Sequence, residues 1–212
     1  MYIKTFVFNP FYENTIVLSS DNGNCYIFDP GCYESFEKDE IKEYIQMEDL
    51  KVKAIINTHC HIDHVLGNYD LKNHYKVPLM IPKNEQEVFD AVPAYAPQWG
   101  ITGYTHAEVD EYMKDGASLT LDELTLQFIE VPGHSPGHLM FYIEDQKTLI
   151  GGDVLFRESI GRTDLPGGNH DALLSNIQEK VYTLPEDVEV HPGHGPTTTI
   201  GHEKRHNPFV RA

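Results

Sequence analysis

Cysteines, cations and long apolar runs are all scarce in this 212-residue chain, and each scarcity removes a class of protein. Three cysteines, Cys25, Cys32 and Cys60, are an odd number without paired spacing. They support neither a disulfide framework nor a cysteine-type zinc knuckle, and they fit a reducing cytoplasm. Only 16 Lys and Arg stand against 33 Asp and Glu, a formal net charge of −17. That is the wrong sign for a nucleic-acid partner, whose backbone is held largely by cations. No stretch approaches the roughly 20 apolar residues of a membrane span, and Asn9-Pro10 and Glu13 interrupt the N-terminus before a secretory segment can form. The expectation is a soluble, cytoplasmic protein with neither nucleic acid nor membrane as partner. What the chain does have, at 40% hydrophobic residues, is enough to bury a core.

The pattern opens with short β-branched and aromatic runs at 2–8, 14–20 and 24–29, separated by Asn9-Pro10 and Asp21-Asn22-Gly23-Asn24, which predicts an antiparallel meander. From Glu34 to Asp49, Phe36, Ile41, Tyr44 and Ile45 approximate helical spacing. A strand at 51–57, helices at 67–76 and 83–92 with a short strand at 77–81 between them, and a stop at Pro93 follow. Residues 93–110 read as a long loop whose Tyr95 and Trp99 suit a flap over a substrate pocket. Strand patterns resume at 119–121, 124–131, 139–143 and 148–150, then a helix at 171–184 carries Leu173, Leu174, Ile177 and Val181 on one stripe, and 188–190 is the last strand. Two such halves predict one α+β domain over 1–212, an αβ/βα sandwich of two mixed sheets flanked by helices.

The densest chemistry is Thr58-His59-Cys60-His61-Ile62-Asp63-His64, directly after the apolar run Val52, Ala54, Ile55 and Ile56. Three imidazoles and a carboxylate at the end of a buried strand are metal ligands by type and spacing. In an extended segment His59 and His61 share a side, whereas Asp63 and His64 lie past the bend and face a second ion. Three further strand ends carry Pro132-Gly133-His134, Gly151-Gly152-Asp153 and Pro192-Gly193-His194. His134 would complete a three-nitrogen set with His59 and His61, His194 would join Asp63 and His64, and Asp153 would bridge. His138 and His191 are candidates for orienting these ligands.

His59-Cys-His61-Ile-Asp63-His64 followed in order by His134, Asp153 and His194 resembles the metallo-β-lactamase superfamily. Pro132-Gly-His-Ser-Pro-Gly-His138, Gly152-Asp-Val-Leu-Phe156, Gly161-Arg-Thr-Asp164 and the ending Glu203 to Phe209 resemble its short glyoxalase II-like hydrolases. The resemblance implies a binuclear site on those seven ligands and a small-molecule thioester substrate, of hydroxyacylglutathione type. Larger glyoxalase II enzymes add a C-terminal helical region that helps hold glutathione, but only 18 residues follow His194. Arg157 and Arg162, with Lys204 and Arg205, are the cations left to receive a substrate carboxylate.

Two zinc ions, with iron or manganese as other occupants, would bring a bridging water's pKa toward roughly 7 and supply hydroxide for attack on the thioester carbonyl. Asp63 is expected to orient that hydroxide as well as to ligate. A thiolate leaves with a solution pKa near about 8.5 and needs no strong general acid, which favours thioesters over amides. The alternative is a persulfide dioxygenase, which shares the fold, the first histidine cluster and a Gly-Arg-Thr-Asp element but works with one iron. A metal-bound scaffold without turnover is the third reading.

Overall fold

The computed structural model describes residues 1–211, which divide into two compact units: residues 1–113 with 121–123, and residues 114–120 with Leu124 onward.

The first unit is one six-stranded sheet in sequential order: β1 (Tyr2–Phe8), β2 (Glu13–Ser19), β3 (Asn24–Phe28), β4 (Lys51–Ile56), β5 (Leu79–Pro82) and β6 (Glu111–Met113). β1, β2 and β3 form the expected antiparallel meander, with Thr5 opposite Ile16 and Val17 opposite Ile27. β3 to β6 run parallel, which requires crossovers long enough for helices. α1 (Ser35–Met47) is the first of these. Ile41 and Ile45 are its buried apolar residues, whereas Phe36, expected on the same stripe, is 68% exposed. Glu37 takes the inward position of the first turn because its carboxylate accepts from the backbone N–H of Asn9 (2.6 Å), Tyr33 (2.7 Å) and Glu34 (2.9 Å).

α2 (Ile62–Val65) is a single turn that periodicity did not predict, and α3 (Asn68–Tyr75) follows it. Pro93 does not stop the next helix: α4 runs Gln86–Tyr95 and continues as a 3-10 turn over Ala96–Trp99. Pro93 gives up the bond an N–H there would make to Phe89 O, and the burial of Phe89, Val92 and Ala96 outweighs the loss. The loop expected over 93–110 is therefore partly helical. The unit's core gathers Val17, Ile27, Ile55, Leu71, Leu79, Ile81 and Phe89.

The second unit is a six-stranded sheet of spatial order β14, β13, β10, β9, β8, β7: β7 (Ser118–Leu121), β8 (Leu124–Glu130), β9 (Leu139–Ile143), β10 (Thr148–Gly152), β13 (Glu189–Pro192) and β14 (Thr198–Thr199). β8, β9 and β10 are an antiparallel meander, while β13 lies parallel to β10 through α5 (His170–Asn176). The helix expected over 171–184 changes pitch midway, continuing as a π-helical turn over Ile177–Val181 that keeps Leu173, Ile177 and Val181 buried. A two-residue hairpin, β11 (Leu155–Phe156) and β12 (Ser159–Ile160), intervenes. Residues 188–190 are not the last strand: β14 and α6 (Ile200–His206) follow. Buried Glu203 fixes that end by accepting from Glu158 N (2.9 Å), Asn207 Nδ2 (2.9 Å) and the Thr198 hydroxyl.

Candidate metal centre

β4 delivers the chain into Asn57, Thr58, His59 and Cys60, all fully buried, before α2 begins. A buried irregular stretch must satisfy its polar groups from outside itself. Glu85 accepts from Cys60 N (2.9 Å), Asn57 Nδ2 donates to His64 O (2.8 Å), and Asn68 Nδ2 donates to Asn57 Oδ1 (2.8 Å). Asp29 fixes the rings. Its Oδ1 accepts from Thr58 N and its Oδ2 from Thr58 Oγ1, both at 2.7 Å, and Oδ2 stands 3.2 Å from His64 Nδ1.

Because Thr58 Oγ1 has given its proton to Asp29, it can only accept from His59 Nδ1, 3.0 Å away. His59 thereby spends Nδ1–H on the protein and keeps its Nε2 lone pair for an ion, and the Asp29 carboxylate facing His64 Nδ1 favours the same tautomer there. The His59 ring centroid lies 4.8 Å from that of His61 and 4.2 Å from that of His64, and His64 Nε2 is 3.7 Å from Asp63 Oδ2. Thr58 to His61 is not extended strand, but Asp63 and His64 do lie past a bend, in the turn of α2. Behind the loop, Asn9 Nδ2 donates to both Gly31 O and Asp63 O at 3.0 Å. Any side chain at Gly31 would meet Glu13 Oε2 at 2.1 Å and Asp63 O at 2.5 Å. Burial pushes the Glu13 carboxyl well up, against the pull of His64 at 4.0 Å.

In the second unit His134 follows β8, Asp153 follows β10 and His194 follows β13. Asp153 Oδ2 lies 3.6 Å from His134 Nε2 and 3.5 Å from His194 Nε2. Two donors bonded at about 2.1 Å to one tetrahedral ion stand about 3.4 Å apart, so this oxygen is spaced as a co-ligand to both imidazoles. His134 Nδ1–H donates to Arg162 O (2.7 Å), leaving Nε2 as its ligating atom. His138 Nε2 accepts from Asp153 N (2.9 Å), so His138 orients a candidate ligand, whereas His191 faces Glu189 at 3.5 Å. A Cβ on Gly161 would fall 1.9 Å from Asp153 O and 3.1 Å from His134 Nδ1, so only glycine lets β12 lead into this corner. The donor set, imidazole nitrogens and carboxylate oxygens with no thiolate, suits zinc, iron or manganese.

The candidate substrate residues are placed less uniformly. The Arg162 guanidinium forks onto Asp164 at 2.7 and 2.8 Å and holds that carboxyl down at about 2. Arg157 is exposed. Burial, then Asp63, pushes the Tyr95 phenol up. Trp99 packs edge-to-face on Phe11. Sequence reasoning missed Asp29, Thr58, Glu85, Asn57, Asn9 and the Arg162 carbonyl. The one available signal was Asp29-Pro30-Gly31, turn chemistry at the end of the strand predicted over 24–29.

A fold of this kind carrying a histidine-carboxylate cluster is that of a metal-dependent hydrolase, and the chain belongs to the metallo-β-lactamase superfamily, whose profile matches residues 8–194. It is 35% identical to hydroxyacylglutathione hydrolase GloC of Haemophilus influenzae, across all of this chain and 99% of that one. Among solved structures it is similar to BLEG-1 B3 metallo-β-lactamase, with a TM-score of 0.91, 35% identity and full coverage of both chains. It is also similar to TTHA1623 in a di-iron-bound form, with a TM-score of 0.86, 31% identity and coverage of 99% and 100%. The expected α+β class of two mixed, helix-flanked sheets is thus that of the superfamily, and the fold with its histidine cluster indicates binuclear metal binding. Among the described residues, no helix is long and apolar enough to cross a membrane.

Proposed function

We propose that residues 1–212 act as one catalytic domain, a cytoplasmic binuclear hydrolase of small-molecule thioesters of hydroxyacylglutathione type. His59, His61 and His134 would hold one ion, Asp63, His64 and His194 would hold the other, and Asp153 would serve both. The observation that carries this reading is the placement of Asp153 Oδ2 at co-ligand distance from both His134 and His194. GloC supports the thioester class by its name and its full-length likeness. Two zinc ions, or iron as in TTHA1623, supply Lewis-acid activation of water and of the substrate carbonyl.

The chain's own residues do the rest. Asp29 and Thr58 hold the His64 and His59 rings in one tautomer, and the Arg162 carbonyl does so for His134. His138 fixes the main chain of Asp153. Asp63, with 15% of its side chain open to solvent, accepts a hydrogen bond from the attacking water and orients it. The departing thiolate needs no strong acid, since a thiol's pKa is near about 8.5.

The likeness to a B3 metallo-β-lactamase favours β-lactam hydrolysis as the second reading. One sample decides. Protein purified without added metal is assayed for metal content, S-lactoylglutathione hydrolysis, chromogenic cephalosporin hydrolysis, and oxygen uptake with glutathione persulfide. Two metal ions per chain with thioester turnover is the expected result. Cephalosporin turnover alone moves the function to the second reading, and one iron with oxygen uptake moves it to a dioxygenase.

A further inference from the structure

We propose that the Phe11–Trp99 pair, with exposed Tyr12 next to Phe11 in the chain, forms an apolar subsite for the acyl arm of the substrate, so that the enzyme prefers thioesters whose acyl group carries an aromatic or bulky hydrocarbon substituent. The inference rests on the thioesterase reading and names the half of the substrate which that reading leaves open.

Apolar side chains that pack on one another at the surface mark a binding site more often than scattered ones do. Tyr12 is 74% exposed and Trp99 48% exposed, and the Trp99 indole lies edge-to-face on Phe11 with centroids 5.8 Å apart at 66°. The turn between β1 and β2 that presents Phe11 and Tyr12 is unfavourable locally. Asn9 (φ +53°) and Tyr12 (φ +58°) both occupy the left-handed region, which a tyrosine rarely adopts. Asn9 holds the turn in place. Its Oδ1 accepts from Phe11 N at 3.0 Å while its Nδ2 donates to Asp63 O at 3.0 Å. One amide side chain therefore separates the Phe11 backbone from the backbone of a proposed metal ligand.

The Trp99 side is anchored independently. Ala96 is buried one turn earlier, Gly100 (φ +79°) ends the 3-10 turn, and the Tyr33 hydroxyl accepts from Thr102 N (3.2 Å) and Gly103 N (3.1 Å). Separate contacts thus position the Phe11–Trp99 pair from both sides, and Asn9 ties the Phe11 side to the Asp63 backbone.

The chemistry of the cluster selects the arm. A thioester bound with its carbonyl at the ligands extends two arms from that point. Glutathione carries two carboxylates, and neither residues 8–12 nor residues 95–104 contain a Lys or Arg to receive them. Aromatic faces instead bury hydrocarbon and stack against phenyl rings. The rim accordingly takes the acyl arm and leaves the carrier to other surfaces.

Trp99 is the single tryptophan, so its emission reports this subsite directly. Metal-loaded protein is titrated separately with mandelate, D-lactate and glutathione. Mandelate is expected to change the emission saturably. D-lactate, the same hydroxy acid without the phenyl ring, and glutathione are expected to leave it unchanged at equal concentration. Phe11→Ala is expected to weaken the mandelate response about fivefold to tenfold. In turnover, mandeloylglutathione is expected to exceed lactoylglutathione in kcat/KM, and Trp99→Ala to lower that ratio about tenfold. A response to glutathione without one to mandelate, equal responses to mandelate and lactate, or no response at all overturns the subsite. The binding arm uses no thioester, so mandelate binding without any thioester hydrolysis sustains the subsite and removes the thioesterase reading. Hydrolysis that ignores the acyl group does the reverse.

Discussion

Replacing Asp29 by asparagine exchanges one oxygen for an NH2 group and reaches both the fold and the proposed metal centre. Asp29 accepts two 2.7 Å bonds from Thr58 and faces His64 Nδ1 at 3.2 Å. Asparagine keeps one acceptor, for Thr58 N, and turns an NH2 group toward the Thr58 hydroxyl and the His64 N–H, both donors here. One charge-assisted bond is lost, at about 1.5–3 kcal/mol, and two buried donors face a third. The expected destabilisation of metal-free protein is about 3 kcal/mol, which for a chain of this length lowers Tm by about 6–12 °C. Metal affinity, read by competition with a chromophoric chelator, is expected to fall about 10- to 100-fold as the rings lose their fixed tautomer. Asp29→Asn combined with Thr58→Val is expected to cost less than the sum of the two single changes, because both act on one network. A variant that melts within 2 °C of the parent and binds metal within about twofold of it would refute the orienting role assigned to this carboxylate.

The same geometry sets three further expectations. Gly161→Ala forces a Cβ to within 1.9 Å of Asp153 O, a backbone atom that cannot step aside. Stability is expected to drop by about 2–4 kcal/mol by chemical denaturation, with weakened metal binding. Burial pushes the Cys25 thiol up to about 12 and those of Cys32 and Cys60 upward as well. These groups stay protonated as well as covered at pH 8, so an aromatic disulfide reagent is expected to titrate none of them in native protein and all three after unfolding. Tyr33→Phe removes the acceptor of Thr102 N and Gly103 N, and hydrogen exchange at those two amides is expected to accelerate about tenfold with little change in Tm.

The longer strands were legible, and the residues proposed as ligands could be singled out, because their signals are local. Alternation marks β1 to β4 and β8 to β10, and the histidine spacing marks the loop after β4. What was not legible depends on distant partners. Glu37 displaces Phe36 from the buried stripe because three backbone N–H groups converge on its carboxylate, which no helical periodicity encodes. Pro93 reads as a stop, yet its helix continues because residues on either side of it bury against the core. The π-helical turn after α5 keeps Leu173, Ile177 and Val181 inward, and a pattern search set to one period cannot register it. Asp29 lies thirty residues before the first histidine. Only the parallel pairing of β3 with β4 brings their ends together.

The bond from His134 Nδ1 ends on the carbonyl of Arg162, not on a side chain, and this divides tolerance to change in an unusual way. Position 162 contributes its oxygen whichever amino acid stands there, so a scan of single replacements would score it permissive. The number of residues between Gly161 and Asp164 is another matter. Adding or removing one would swing that oxygen away from the ring, and the corner is therefore constrained in length far more tightly than in identity.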